Sequence, residues 1–271
     1  MSDTQELIPV EKRYDDADLG ADYVKSRIKY PKFVLEVVLH YIEESLGKSL
    51  KYPLAVDAGC GPGLMSTVIL APYFDKVLGV DISESQIKQA TLNNKHSNIE
   101  YRVCAAEMLP VEDNSFYKEC DRVLVPGGVI AALCYAFNKV DIVNHPHSDA
   151  IEKVLTQISE RLRSQKTNPY FTEQCALVSH RYTSTKLQIP YEDTKRVDGQ
   201  YMEFSSTISG ILRCLMTTAF TRLYVNSSED NKLWWKTCHQ RLMEAYGTND
   251  LEAPLTYKVE VFMLLGRKPT S

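Results

Sequence analysis

The period of the apolar positions changes along the chain and divides it in two. Behind a polar leader, PKFVLEVVLHYIEESLG sets Val34, Val37, Val38, Tyr41 and Ile42 on one helical face. Pro31 stands at a tolerated first-turn position and Gly47 just past the end. Short apolar runs at 54–56, 76–80 and 99–103 are too brief for buried helices and read as strands. Between them lie a helical stretch at 64–70 and another from Ser83, where Ser83-Glu84-Ser85-Gln86 has capping-box spacing for a helix reaching about His96. Strands alternating with helices predict an α/β fold, a doubly wound and mostly parallel Rossmann-like sheet with right-handed crossovers. A helix at 115–124, the turn Val125-Pro126-Gly127-Gly128 and a buried strand at 129–135 follow.

In the second half the helical period dominates. Ile151, Val154, Leu155, Ile158 and Leu162 mark one amphipathic helix, and 204–224 and 232–246 read as two more. Runs at 182–189 and 256–265 alternate as strands and are expected as an antiparallel edge pair. With no repeat or Gly/Ser linker to mark a boundary, the chain divides into a leader and lid helix (1–30), a ligand-binding core (31–136), and helical cover inserts plus the last two strands of the same domain (137–271).

Composition then narrows the partners. The 271 residues suffice for a full catalytic core. Thirty-one Lys and Arg against 35 Asp and Glu give a net charge of −4, and no basic block exceeds two residues, so a nucleic-acid footprint is excluded. A polar, acidic start and no run of eighteen apolar residues predict a cytoplasmic chain without a membrane partner. The seven cysteines lack CxxC or Cys/His ligand spacing, so they read as reduced thiols and no metal is expected. The expected partner is a small molecule.

The chemistry concentrates in Asp57-Ala58-Gly59-Cys60-Gly61-Pro62-Gly63, a glycine loop between a strand and a helix. Such a turn lets a ligand lie against the backbone. A dinucleotide fingerprint needs G-x-G-x-x-G, and its third glycine falls on Leu64, so the spacing does not serve a pyrophosphate. Asp57, two residues before the first glycine, suits a cationic amino group. Asp81, eighteen residues past Gly63 at the end of the second strand, suits a ribose diol. The pair describes an amino-acid nucleoside.

These residues resemble the class I S-adenosylmethionine-dependent methyltransferases, most closely the trans-aconitate methyltransferase-like, or methyltransferase type 11, group. The likeness rests on VDAGCGPG (56–63), GVDIS (79–83), AAEMLP (105–110), RVLVPGG (122–128), MLLGRKP (263–269) and the leader YVKSRIKYP (23–31). It implies S-adenosyl-L-methionine as cofactor and methyl transfer to a small molecule, a carboxylic acid being plausible, with no catalytic base designated. Gly59, Gly61 and Gly63 would admit the methionine part, Asp57 would neutralise its ammonium, and Asp81 would take both ribose hydroxyls. Ile82 would pack on the adenine, and Ala106 and Glu107 would border its edge. Ala105 stands where many relatives have an acid. Tyr23, Arg27 and Tyr30 share a helical face and read either as a lid with Arg27 on a substrate carboxylate or as packing. His145 and His147 read as an exposed loop pair rather than a base, Trp234-Trp235 as core or interface, and Cys60 as filler.

One segment is short. Only 24 residues separate Cys104 from Val129, and they hold a loop, one helix and the Pro-Gly-Gly turn, with no apolar run for a fourth parallel strand. The strand at 129–135 must then pair with the first strand, or that strand keeps an unpaired edge. The rivals to an active enzyme are a shortened, donor-binding but inactive variant and, more remotely, a nicotinamide oxidoreductase.

Overall fold

The computed structural model describes residues 30–64, 66–104 and 115–270. The chain forms two compact units, Met1–Ala131 with Ile189–Lys195 and Leu265–Ser271, and Ala132–Gln188 with Arg196–Leu264.

The first unit opens with α1 (Lys32–Leu46), entered through Pro31 in extended conformation and closed by Gly47 at φ 75°. Its buried stripe is Val34, Leu35, Leu39, Tyr41 and Ile42, so Leu35 and Leu39 replace the expected Val37 and Val38, which are only half-buried. β1 (Tyr52–Ala58), β2 (Phe74–Asp81) and β3 (Ile99–Val103) form a parallel sheet in the order β1-β2-β3, with α2 (Thr67–Leu70) and α3 (Glu84–Asn93) in the crossovers. The Ser83 hydroxyl accepts from Gln86 N–H as the cap spacing predicts, and the helix stops at Asn93.

The register puts Ala55, Val77 and Ile99 on one face of the sheet, and there Leu35, Leu39 and Ile42 of α1 complete a core with Ala71 and Phe74. Leu54 and Val56 point to the other face and remain 50% and 48% exposed. After α4 (Ser115–Val123), β4 (Val129–Ile142) does not join β1; it belongs to a second sheet of order β4-β6-β5. Among the described residues, β1 therefore has a partner on one side only.

The last residues of the chain return to this unit. Arg267 donates to the Tyr41 carbonyl at 2.7 Å and pairs with Glu44 and Asp193, with its guanidinium 4.1 Å from the Tyr41 ring centre. The Tyr41 hydroxyl donates to Asp193 Oδ1 at 2.7 Å, and burial next to that carboxylate pushes the phenol's pKa up.

In the second unit, α5 (Ser148–Leu162), α6 (Glu173–Ser179), α7 (Ile208–Met216), α8 (Ala219–Asn226) and α9 (Glu229–Tyr246) accompany β5 (Thr194–Thr207) and β6 (Pro254–Arg267). Two expectations are corrected here. Residues 182–189 are not a strand: Arg181 and Tyr182 hold φ of 58° and 53°, and Ser184 caps a 3-10 turn at Thr185–Leu187. The strand lies instead at Thr194–Thr207, and it takes in Phe204, so the helix expected over 204–224 starts at Ile208 and is broken into α7 and α8.

Candidate methyl-donor site

The glycine loop leaves β1 at its carboxyl end, where ligands of open α/β sheets bind. Gly59, Gly61 and Gly63 hold φ of 74°, 54° and 74°, values that favour glycine at all three positions. Their surroundings differ. A Cβ at Gly59 meets nothing within 4 Å, and one at Gly61 meets only Gln86 Oε1 at 3.9 Å. A Cβ at Gly63 would run into the Tyr101 hydroxyl, and one at Gly79 falls 2.6 Å from the same ring. Gly59 and Gly61 thus leave open space for a ligand, whereas Gly63 and Gly79 make room for Tyr101. Tyr101 was missed because its partnership with both glycines depends on strand register.

The loop's N–H groups are used internally. Gly59 and Cys60 both donate to the Val80 carbonyl (2.8 and 3.0 Å), Gly63 donates to the Cys60 carbonyl (3.0 Å), and Gly61 donates to Asp81 Oδ2 (2.8 Å). Pro62 has none. From Gly59 to Gly63 the loop therefore keeps no main-chain donor for an anion.

Asp81 also accepts from Ser83 N–H through Oδ1 at 2.9 Å, which fixes the carboxylate in plane. Each oxygen retains a lone-pair direction for a diol. Asp57 Oδ2 accepts from the hydroxyls of Ser66 (2.7 Å) and Thr67 (2.6 Å). Burial raises the Asp57 pKa, those two hydrogen bonds oppose the rise, and Asp81 adds to it. A cation placed beside Asp57 would relieve this cost. Burial, with Asp57 and Asp81 close by, likewise pushes the Cys60 thiol up, which suits filler and not a nucleophile.

Gln86 is 3% exposed and its Oε1 has no hydrogen-bond partner among the described residues. An open cradle over Gly59 and Gly61, an orphaned acceptor beside it and two flanking carboxylates fit a ligand with a cationic amino group and a vicinal diol. Ile82 is half-buried next to Asp81. Ala106, Glu107, Tyr23 and Arg27 lie outside the described residues; Tyr30 is half-buried at the start of them.

The other candidates pack within the second unit. His145 stacks on Tyr246 with ring centres 4.1 Å apart and accepts from His147 N–H, and burial lowers its pKa. Trp235 is buried, while Trp234 lies under the Arg161 guanidinium at 4.4 Å. In the first unit a cleft of about 340 Å³ opens between Asp75, Lys76, Asn98 and Glu100, at the amino ends of β2 and β3 and away from the loop.

Residues 56–117 match the methyltransferase domain family. Over 96% of its length the chain is 24% identical to a Dictyostelium discoideum protein provisionally named a methyltransferase, covering 98% of it. A solved structure of a provisionally assigned type II methyltransferase from Anaeromyxobacter dehalogenans shares the fold, with a TM-score of 0.62 at 22% identity over 90% of this chain and 99% of that one. The domain match and the full-length relative support an S-adenosylmethionine-dependent methyltransferase. No helix among the described residues is long and apolar enough to cross a membrane.

Proposed function

We propose that the chain binds S-adenosylmethionine at the carboxyl ends of β1 and β2 and serves methyl transfer to a cytoplasmic small molecule, with a carboxylic acid as the acceptor class. The carrying observation is the loop Gly59–Gly63, whose N–H groups are all consumed while Asp57 and Asp81 flank it. Such a site favours a cation and disfavours a dinucleotide pyrophosphate, which argues against the oxidoreductase reading. Asp57 takes the ammonium, Asp81 the ribose hydroxyls, Ile82 one adenine face, and Ala106 and Glu107 the adenine edge. Tyr23, Arg27 and Tyr30 form the lid, and residues 137–271 choose the acceptor.

S-adenosylmethionine supplies a methyl group already activated on a sulfonium. The protein's own task is therefore alignment and exclusion of water, worth about 7–11 kcal/mol, and a base is needed only for an acceptor protonated at working pH. Titration calorimetry of wild type and Asp81→Asn tests the donor site. Micromolar binding that Asp81→Asn weakens at least tenfold is expected; unchanged affinity places the donor elsewhere.

A second reading is favoured by the free side of β1. In this reading the short stretch between Cys104 and Val129 lacks the fourth parallel strand, and the chain binds the donor without turnover. Mass spectrometry of a panel of small acids incubated with donor and enzyme separates the two: methyl ester formation supports the enzyme, and donor binding with no product supports the shortened variant.

A further inference from the structure

The outer side of β1 has a chemistry of its own. Gly59 N–H donates to Val80, and Val77 N–H donates away from β1 to Asn98. By the two-residue alternation of a parallel ladder, the main-chain groups of Ala55 and Asp57 then face β2, and those of Leu54, Val56 and Ala58 face outward. No backbone hydrogen bond reaches these three from outside the β1–β2 ladder among the described residues. Their side chains share one face, where Leu54 and Val56 are half exposed.

We propose that this edge is a homodimer interface, with two copies pairing their β1 strands antiparallel about a two-fold axis through Val56. That register sets Val56 against the partner's Val56 and Leu54 against the partner's Ala58. It forms six main-chain hydrogen bonds from the three outward residues, and Pro53, which has no N–H, lies outside them. The segment is self-complementary: on the outer face every cross-strand pair is apolar, and on the other Asp57 meets the partner's Ala55, so no like charges oppose. The opposite edge of the sheet differs. β3 carries Glu100 and Arg102, and their ion pair, extended to Lys76, is the kind of charged guard that discourages pairing. Pairing β1 with β1 is isologous and closes at two copies, joining two three-stranded sheets into one of six strands; β1 on β3 would propagate. The proposal rests on the free edge and not on the donor reading.

Sedimentation velocity of the full chain from about 1 to 100 µM tests it. A concentration-dependent dimer is expected, and Leu54→Lys with Val56→Lys, both at exposed positions, should give a monomer with unchanged circular dichroism. Amide exchange on the wild type needs no variant: Leu54, Val56 and Ala58 should exchange quickly at the low concentration and slowly at the high one, whereas Val77 should not change. A monomer at every concentration, a dimer that survives the double substitution with those three amides unprotected, or growth beyond the dimer overturns the proposal.

Discussion

β1 and β6 both carry apolar runs, yet their fates diverge. In β6, Val259, Val261, Phe262, Met263 and Leu265 are fully buried, because β6 is the middle strand of its sheet. In β1, Leu54 and Val56 keep half their surface, because the strand is flanked on one side only. Hydrophobic sequence qualifies a strand for burial, but neighbours decide whether it happens. Among the described residues β1 is an edge strand, and it exposes both that edge and one face.

The sharpest test is truncation in each strand. Phe262→Ala should cost about 3–5 kcal/mol, as for a large aromatic removed from a closed core. Val56→Ala should cost under about 1 kcal/mol in the monomer, as at an exposed position. Denaturant midpoints of the two variants check this, and equal losses would mean that β1 is covered in solution. Within the first unit the same logic ranks the glycines. Gly63→Ala drives a Cβ into Tyr101 at a positive φ and should cost about 1–3 kcal/mol, whereas Gly59→Ala meets no neighbour and should lose only the backbone part, about 1 kcal/mol. Thermal melts of the pair suffice.

The smallest effect concerns Asp57. Its folded pKa is raised, so the folded state favours the protonated acid. The associated stability is fully present below the ordinary carboxylate range and is lost as pH rises through the raised value. Asn keeps an oxygen for Ser66 and Thr67 and removes the charge. Asp57→Asn should therefore melt at or above the wild-type temperature at neutral pH, with a flatter dependence on acidification, while donor affinity falls. Melting curves across pH with parallel calorimetry check both halves; a variant that melts lower and binds donor normally would show that the acid is structural.

Much of the first unit was legible because its signals are local. The three parallel strands, the glycine loop, the Ser83 cap and the position of Asp81 follow from period, spacing and capping chemistry. What was hidden depends on partners distant in sequence. β5, with Lys195, Arg196, Asp198 and Gln200, is too polar to stand out as a strand and is held as an outer strand against β6. The run at 182–189 alternates like a strand, yet positive φ at Arg181 and Tyr182 turns it. Spacing argued for a nucleoside at the loop; only the hydrogen bonds showed that its main-chain donors are already spent.

Arg267 sets an order on synthesis. It clips α1 through Tyr41 and Glu44 and the returning segment through Asp193, so the first unit draws on residues more than 220 positions apart. While the ribosome is still making the chain, the first unit can form its sheet and loop but not this fastening, because Arg267 is added about 200 residues after the loop. A chain cut short there would carry the whole glycine loop and lack the clasp that closes the unit around it.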